Sequence, residues 1–207
     1  MMQIEGMRQA SPLSPRLSAV VIFVVAALSL RLQFDANLAA GRGDTVAQVL
    51  WGMARFFTIL TNFAVAVAMA LVAMRWRIPA GLAFAGVLAI VMVGLVYHGL
   101  LARLANPVGL AWWADIGLHT AVPLMVLAWW LAYGPVPKWR ALAGGMVWPL
   151  VYVIYVAFRG VTEGRWPYPF LNVTRHGWDG VAINCAGMVV AFAAVGAVLI
   201  AVKRRLG

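Results

Sequence analysis

Thr58, Thr61 and His119 are the residues of this 207-residue chain whose types can carry out covalent chemistry together. A threonine hydroxyl is a weak nucleophile until a neighbouring base takes its proton, and a neutral imidazole is such a base. Asp115 precedes His119 by four residues, one helical turn away on the same face, where a carboxylate can orient the ring. The ordinary alternatives are a threonine bonded to its own i−4 carbonyl and a histidine that bridges two helices. His98, beside Tyr97, and His176 read most simply as solvated imidazoles, with a site-lining role as the other reading. The single cysteine, Cys185, forms no intramolecular disulfide, and no CxxC or Cys/His cluster has zinc-binding spacing. No metal site and no cofactor site are therefore read from the sequence.

The elements that position these residues follow from composition. The chain is 64% hydrophobic and only 11% charged, with mean hydropathy +0.90, against about 25% charged residues in a globular average. A soluble domain of this size buries only roughly 70% of the surface its unfolded chain exposes, too little to hide so much apolar area. The expected solvent is lipid. The net charge of +10 comes from sixteen Lys and Arg scattered at the ends of apolar runs. That pattern reads as interfacial anchoring and topology, with no nucleic-acid partner.

About 20 apolar residues span the hydrocarbon as a helix. Six segments qualify, at approximately 17–34, 56–74, 78–101, 111–133, 141–158 and 181–202. The expected fold is all-α, one integral membrane bundle of six transmembrane helices over residues 1–207, joined by short loops. Arg8 and Arg16 ahead of Leu17–Leu30 also resemble a signal peptide, but no small-x-small cleavage site follows and Arg31 can snorkel outward. Gly81, Ala85, Gly187, Ala191, Ala193 and Ala197 have the spacing that lets helix backbones approach closely, and Pro123 and Pro149 are candidate kinks. The longest connection, Arg159 to Gly180, is rich in aromatics and proline and reads as a rigid interfacial loop on the outer side.

At about 1.5 Å per residue from each inner helix end, Thr58 stands ~24 Å up, Thr61 ~20 Å, His119 ~21 Å, Asp115 ~27 Å, Arg55 ~29 Å and His98 ~30 Å. Two hydroxyls and an imidazole share one layer in the outer half of the membrane, and Arg55 is level with Asp115 for an ion pair. Polar groups at such depth are functional by default. Depth does not choose between the two threonines.

Three stretches carry a resemblance. Arg55-Phe56-Phe57-Thr58-Ile59-Leu60, Gly117-Leu118-His119-Thr120-Ala121-Val122-Pro123 and Trp166-Pro167-Tyr168-Pro169-Phe170-Leu171, in this order, resemble the androgen-induced-gene-1 family of six-helix membrane proteins. That family includes the androgen-dependent TFPI-regulating protein and has bacterial relatives. The resemblance implies a threonine hydrolase of fatty acid esters of hydroxy fatty acids. By motif position it implies Thr58 as nucleophile and His119 as partner, with a lipid ester as substrate and membrane lipids as surroundings. Asp115, Arg55, Thr61 and His98 remain supporting candidates, and Asp115 has no counterpart in the family's pattern. No oxyanion-hole donor is identifiable. The alternatives are a haem-binding electron carrier with His98 and His119 as axial ligands, or a non-catalytic membrane transporter or scaffold.

The loops set the orientation. With the N-terminus inside, nine of the sixteen Lys and Arg fall on the inner side and seven on the outer. A bacterial cell-membrane protein with both termini cytoplasmic is the expectation. Cysteine introduced at Thr174 in a Cys185→Ala background should then react with a membrane-impermeant thiol reagent in intact cells. Labelling only after lysis would invert the topology.

Overall fold

The computed structural model describes residues 14–206, so the expectation placed on Arg8 lies outside the described residues. Among them every regular element is helical and there is no strand. The first helix, α1 (Pro15–Ala39), starts where Ser14 accepts a hydrogen bond from the Leu17 amide and Pro15 takes the first helical position, whose N–H has no intrahelical acceptor. A short helix, α2 (Val46–Met53), follows, opened by a capping box in which Thr45 and Gln48 satisfy each other's amides. After a three-residue break the chain turns through 99° into α3 (Phe57–Ala73). Next come α4 (Ala80–Val96), α5 (Leu110–Ile116), α6 (Val122–Tyr133), α7 (Ala141–Gly145), α8 (Val147–Glu163) and α9 (Val173–Leu206).

Two of these helices are extended by π-helical turns. Tyr97–Leu101 continues α4, and Gly117–Ala121 joins α5 to α6. Among the described residues five continuous helical stretches are long and apolar enough to cross a membrane, and six if the bent α2–α3 pair is counted as one span. Their outward faces carry large apolar side chains: Phe63, Leu82, Leu124, Ile154, Phe158 and Val190 are all more than 60% exposed.

Several boundaries differ from expectation. Residues 40–55, read as a loop, contain α2. The connection read from Arg159 to Gly180 shrinks to Gly164–Asn172, because α8 runs on to Glu163 and α9 begins at Val173. The Arg159–Glu163 pair at i,i+4 carries α8 past its last apolar residues, where the sequence alone suggested an exit. Within α9 the backbone breaks at Gly177 (φ 68°, ψ 172°), a conformation only glycine adopts without strain. Pro123 sits in the first turn of α6, directly after the π-turn. Pro149 likewise falls in the first turn of α8, after a break at Met146.

The core runs between α1, α3, α4, α6 and α9 around Phe84, Leu88, Trp130 and Ile200, all fully buried. Of the small residues with close-packing spacing, Gly81 and Gly187 make no close contact, since a Cβ there would meet nothing, whereas Ala191 packs against the core. Close approaches occur at Gly145 and Gly196 against Leu88 and Leu142, at Gly117, where an added methyl would collide with Ser29 of α1, and at Gly94, where it would press on the His119 carbonyl and Pro123. Ser29 is buried, and its hydroxyl donates to the Val25 carbonyl.

Gly117→Ala should therefore cost about 1–3 kcal/mol, the usual penalty of overpacking, read as a lower unfolding temperature in detergent. Adding Ser29→Gly to that variant should restore part of the loss.

Candidate active site

Both π-turns carry polar residues, and such bulges are common at functional sites. His119 Nδ1 lies 3.0 Å from Asp115 Oδ1 and 3.1 Å from the Asp115 carbonyl oxygen. Either contact places the proton on Nδ1 of the neutral ring, leaving the Nε2 lone pair as the basic end. Asp115 is fixed in turn by Tyr97, whose hydroxyl donates to Oδ2 at 2.6 Å. The Tyr97 ring also stacks on the His119 ring at 3.8 Å with 11° between planes. Asp115 therefore sits where the helix spacing placed it.

Arg55 does not pair with Asp115. The bend between α2 and α3 turns Arg55 toward α8, where it pairs with Glu163. His98 is exposed, and its Nε2 lies 2.9 Å from Thr120 Oγ1. Its ring meets the edge of Tyr97 at 5.2 Å. Tyr97 thus packs against both imidazoles, and one nitrogen of each is already engaged.

The two threonines, indistinguishable by depth, have different surroundings. Thr61 is buried and accepts a hydrogen bond from Trp148 Nε1 at 3.0 Å. Thr58 lies in the first turn of α3, in the wall of a partly open cavity of about 250 Å³. Met92, Val96, Leu150, Met188 and Phe192 make most of that cavity apolar. Beside Thr58 stand two phenols, Tyr152 and Tyr168. The Tyr152 hydroxyl donates to the Arg55 carbonyl at 2.8 Å. Burial of the Tyr168 hydroxyl pushes its pKa above the ordinary phenol value, so the group is protonated at neutral pH.

Tyr168 reaches the site because the connection folds inward. Trp166 covers Gly160, where no side chain has room. Leu171 is buried, Tyr168 and Phe170 stack at 5.3 Å, and Asn184 holds the Phe170 carbonyl at 2.9 Å.

Thr58 and His119 are linked through backbone. Asn62, fully buried, donates to the Thr58 carbonyl at 2.9 Å and to the Leu118 carbonyl at 3.2 Å, tying α3 to the π-turn that carries His119. Among the described residues no hydrogen bond joins the Thr58 hydroxyl to His119, and His119 is not part of the cavity wall.

A second polar cluster closes one end of α8. Arg159, 1% exposed, bonds Glu163 at 2.8 and 3.0 Å, the Trp51 carbonyl and the Tyr155 hydroxyl. Its guanidinium lies over the Trp51 ring at 3.9 Å. Trp51 and Arg55 both donate to Glu163 from the α2 side. Sequence reasoning passed over Arg159 and Glu163 as loop charges, although their i,i+4 spacing was a usable signal. Tyr97 and Tyr168 carried no such signal, since their partners lie on other elements.

Compared with family models, curated proteins and solved structures, the chain matches none.

Glu163→Gln removes the one carboxylate shared by two guanidiniums. It should cost roughly 1.5–3 kcal/mol, the range for hydrogen bonds to charged groups, measured as a lower unfolding temperature in detergent.

Proposed function

We propose that this chain is a multi-pass membrane protein that hydrolyses lipid esters, with Thr58 as nucleophile and His119 as general base. One observation carries the reading: Thr58 lines an apolar, partly open cavity. An acyl chain fits such a lining, and its ester carbonyl is the group a hydroxyl there can attack. The exposed Leu, Val and Phe on the outward faces of the helices support a lipid surround. The expectation from loop charges adds that both termini face the cytoplasm, in a bacterial cell membrane.

The chemistry proceeds in two halves. Thr58 Oγ1 bonds to the ester carbonyl carbon while its proton passes to His119 Nε2. Collapse of the tetrahedral adduct breaks the bond to the alcohol oxygen, which leaves with that proton. Water attacks the acyl-threonine in the same way and releases the fatty acid. Asp115 and Tyr97 hold the imidazole with its Nδ1–H engaged throughout, so that Nε2 is the nitrogen that takes the proton and returns it. In unliganded sites the hydrogen bond between nucleophile and base is often long and tightens with substrate. In this reading the ester brings the Thr58 hydroxyl and His119 Nε2 into contact. The three stretches that resemble, in this order, the androgen-induced-gene-1 family point to the same two residues. Fatty acid esters of hydroxy fatty acids are the first substrates to test.

Purified wild type should hydrolyse such esters and be labelled by a fluorophosphonate hydrolase probe. Thr58→Ala should lose both properties, Thr58→Ser should keep measurable turnover, and Thr61→Ala should remain active. His119→Ala should lose several orders of magnitude in kcat, as members of a nucleophile–base unit do. Equal activity in Thr58→Ala and wild type would overturn the reading.

A further inference from the structure

A second cavity, of about 770 Å³, opens at the end of the bundle away from Thr58. It lies between the start of α1, the second halves of α3 and α6 and the first half of α4, and it shares no residue with the first cavity. That volume is within the usual range of ligand pockets. Val65, Met69, Val87 and Val126 make its inner walls apolar. From Val72 to Val65 the α3 wall runs ~10 Å, enough for a stretch of acyl chain. Gly86 lies in the α4 wall, and a Cβ there would meet nothing.

The mouth is cationic. Arg16 donates from Nε and Nη2 to the Ala73 carbonyl at 3.2 and 3.0 Å, which caps α3 and leaves both N–H groups of Nη1 uncommitted. Arg77 is exposed and, among the described residues, has no hydrogen-bond or ion-pair partner. Two indoles join them in the lining: Trp76 is 67% exposed, and Trp129 donates to the Pro15 carbonyl at 2.9 Å. Indoles and basic side chains at one level suit the headgroup boundary of a bilayer.

The turn that presents Trp76 and Arg77 is strained. Arg75 has φ 71°, the left-handed conformation usually left to glycine at a helix end. The Arg75 and Trp76 amides close α3 on the Val72 and Leu71 carbonyls at 3.0 and 2.9 Å, and the next residues enter the cavity lining. Such strain persists where the surrounding structure fixes it, often at ligand sites. Among the described residues no carboxylate shares this end: Asp35, Asp44, Asp115, Glu163 and Asp179 belong to the opposite ends of their helices or to the loop beyond α1. Lys203 donates to the Leu131 carbonyl at 2.8 Å, which brings Arg204 and Arg205 to the same end.

We propose that this cavity binds one anionic phospholipid of the adjoining leaflet, its phosphate held by Arg77 and Arg16 and one acyl chain lying between α3, α4 and α6. Basic pockets between membrane helices take such headgroups, and this is the end expected to face the cytoplasm, whose leaflet carries anionic lipid. The site rests on the membrane part of the reading above and is independent of Thr58.

The test counts lipids retained by the intact full-length protein in native mass spectrometry from detergent micelles, titrated with phosphatidylglycerol or phosphatidylcholine of identical acyl chains. Wild type should retain one phosphatidylglycerol at concentrations where phosphatidylcholine is not held. Excess inorganic phosphate should not displace it, because the acyl chain supplies much of the hold. Arg77→Gln should weaken phosphatidylglycerol binding about fivefold, the usual effect of one basic residue beside an anionic lipid surface. Arg205→Gln, at the same end but outside the lining, should match wild type. Gly86→Leu fills the open space in the α4 wall and should abolish retention. Nothing presses on Gly86 and nothing bonds Arg77, so both variants should fold. No lipid on wild type, equal retention of the two lipids, displacement by phosphate, equal losses in Arg77→Gln and Arg205→Gln, or wild-type retention in Gly86→Leu would each overturn the site. No outcome depends on ester turnover, so this site and the Thr58 reading fail separately.

Discussion

One fully buried carboxamide determines how the two halves of the candidate site face each other. Asn62 has two N–H groups, and it gives one to the Thr58 carbonyl on its own helix and the other to the Leu118 carbonyl on the π-turn. In a lipid surround a backbone carbonyl freed from the regular helical pattern has no water to bond. A π-turn in the middle of an apolar span frees such groups, and Asn62 satisfies one of them. The same bond sets the height and separation of α3 and the His119 turn. Ser29 against Gly117 and Gly94 against the His119 carbonyl hold that turn from two further sides. The turn is thus enclosed by α1, α3 and α4, and its geometry cannot change without moving one of them.

The second constraint is electrostatic. Arg159 is nearly inaccessible, and a buried guanidinium survives only if its donors are taken. Here Glu163, the Trp51 carbonyl and the Tyr155 hydroxyl take them, and the Trp51 ring covers the charged face. Trp51 belongs to α2 and Arg55 to the bend, so the cluster fastens the short helix to α8. Tyr152 and Tyr155 add hydrogen bonds to the carbonyls of Arg55 and Ala54. The carbonyls of Ala54 and Arg55 in the bend are therefore each satisfied by an α8 side chain. The bend leaves the amino end of α3, with Thr58 in its first turn, facing the cavity.

Cavity and connection belong together. Residues 164–172 turn back over α8 and place Tyr168 and Phe170 in the cavity wall. Trp166 lies on Gly160 because no Cβ occupies that spot. An aromatic segment of this kind excludes water from one side of the cavity while supplying a phenol next to Thr58. Tyr97 plays the corresponding part on the other side, stacking on His119 and anchoring Asp115. In both places a tyrosine combines a packing ring with one directed hydroxyl.

Composition and the length of its apolar runs determined that the chain is helical and that its surface is apolar, because so few charged residues cannot cover a soluble domain. Helical pitch determined the local pairs: residues four apart share a face whatever surrounds them, so Asp115 meets His119 and Arg159 meets Glu163. Depth along a helix was also readable, since rise per residue is constant. What depth leaves open is the direction in which a side chain points, and that was decided by the bundle. Arg55 is level with Asp115 by count, yet the 99° bend turns it to Glu163. Thr58 and Thr61 differ by less than one turn, yet one faces the cavity and the other bonds Trp148. The small-residue spacing at Gly81 and Gly187 predicted contacts that the helix rotations leave facing outward. The meeting of Tyr168 with Thr58, 110 residues apart, was likewise beyond any local pattern. Contacts within one helix follow from the backbone repeat, whereas contacts between helices depend on rotation, bend and neighbour order, which only the packed structure settles.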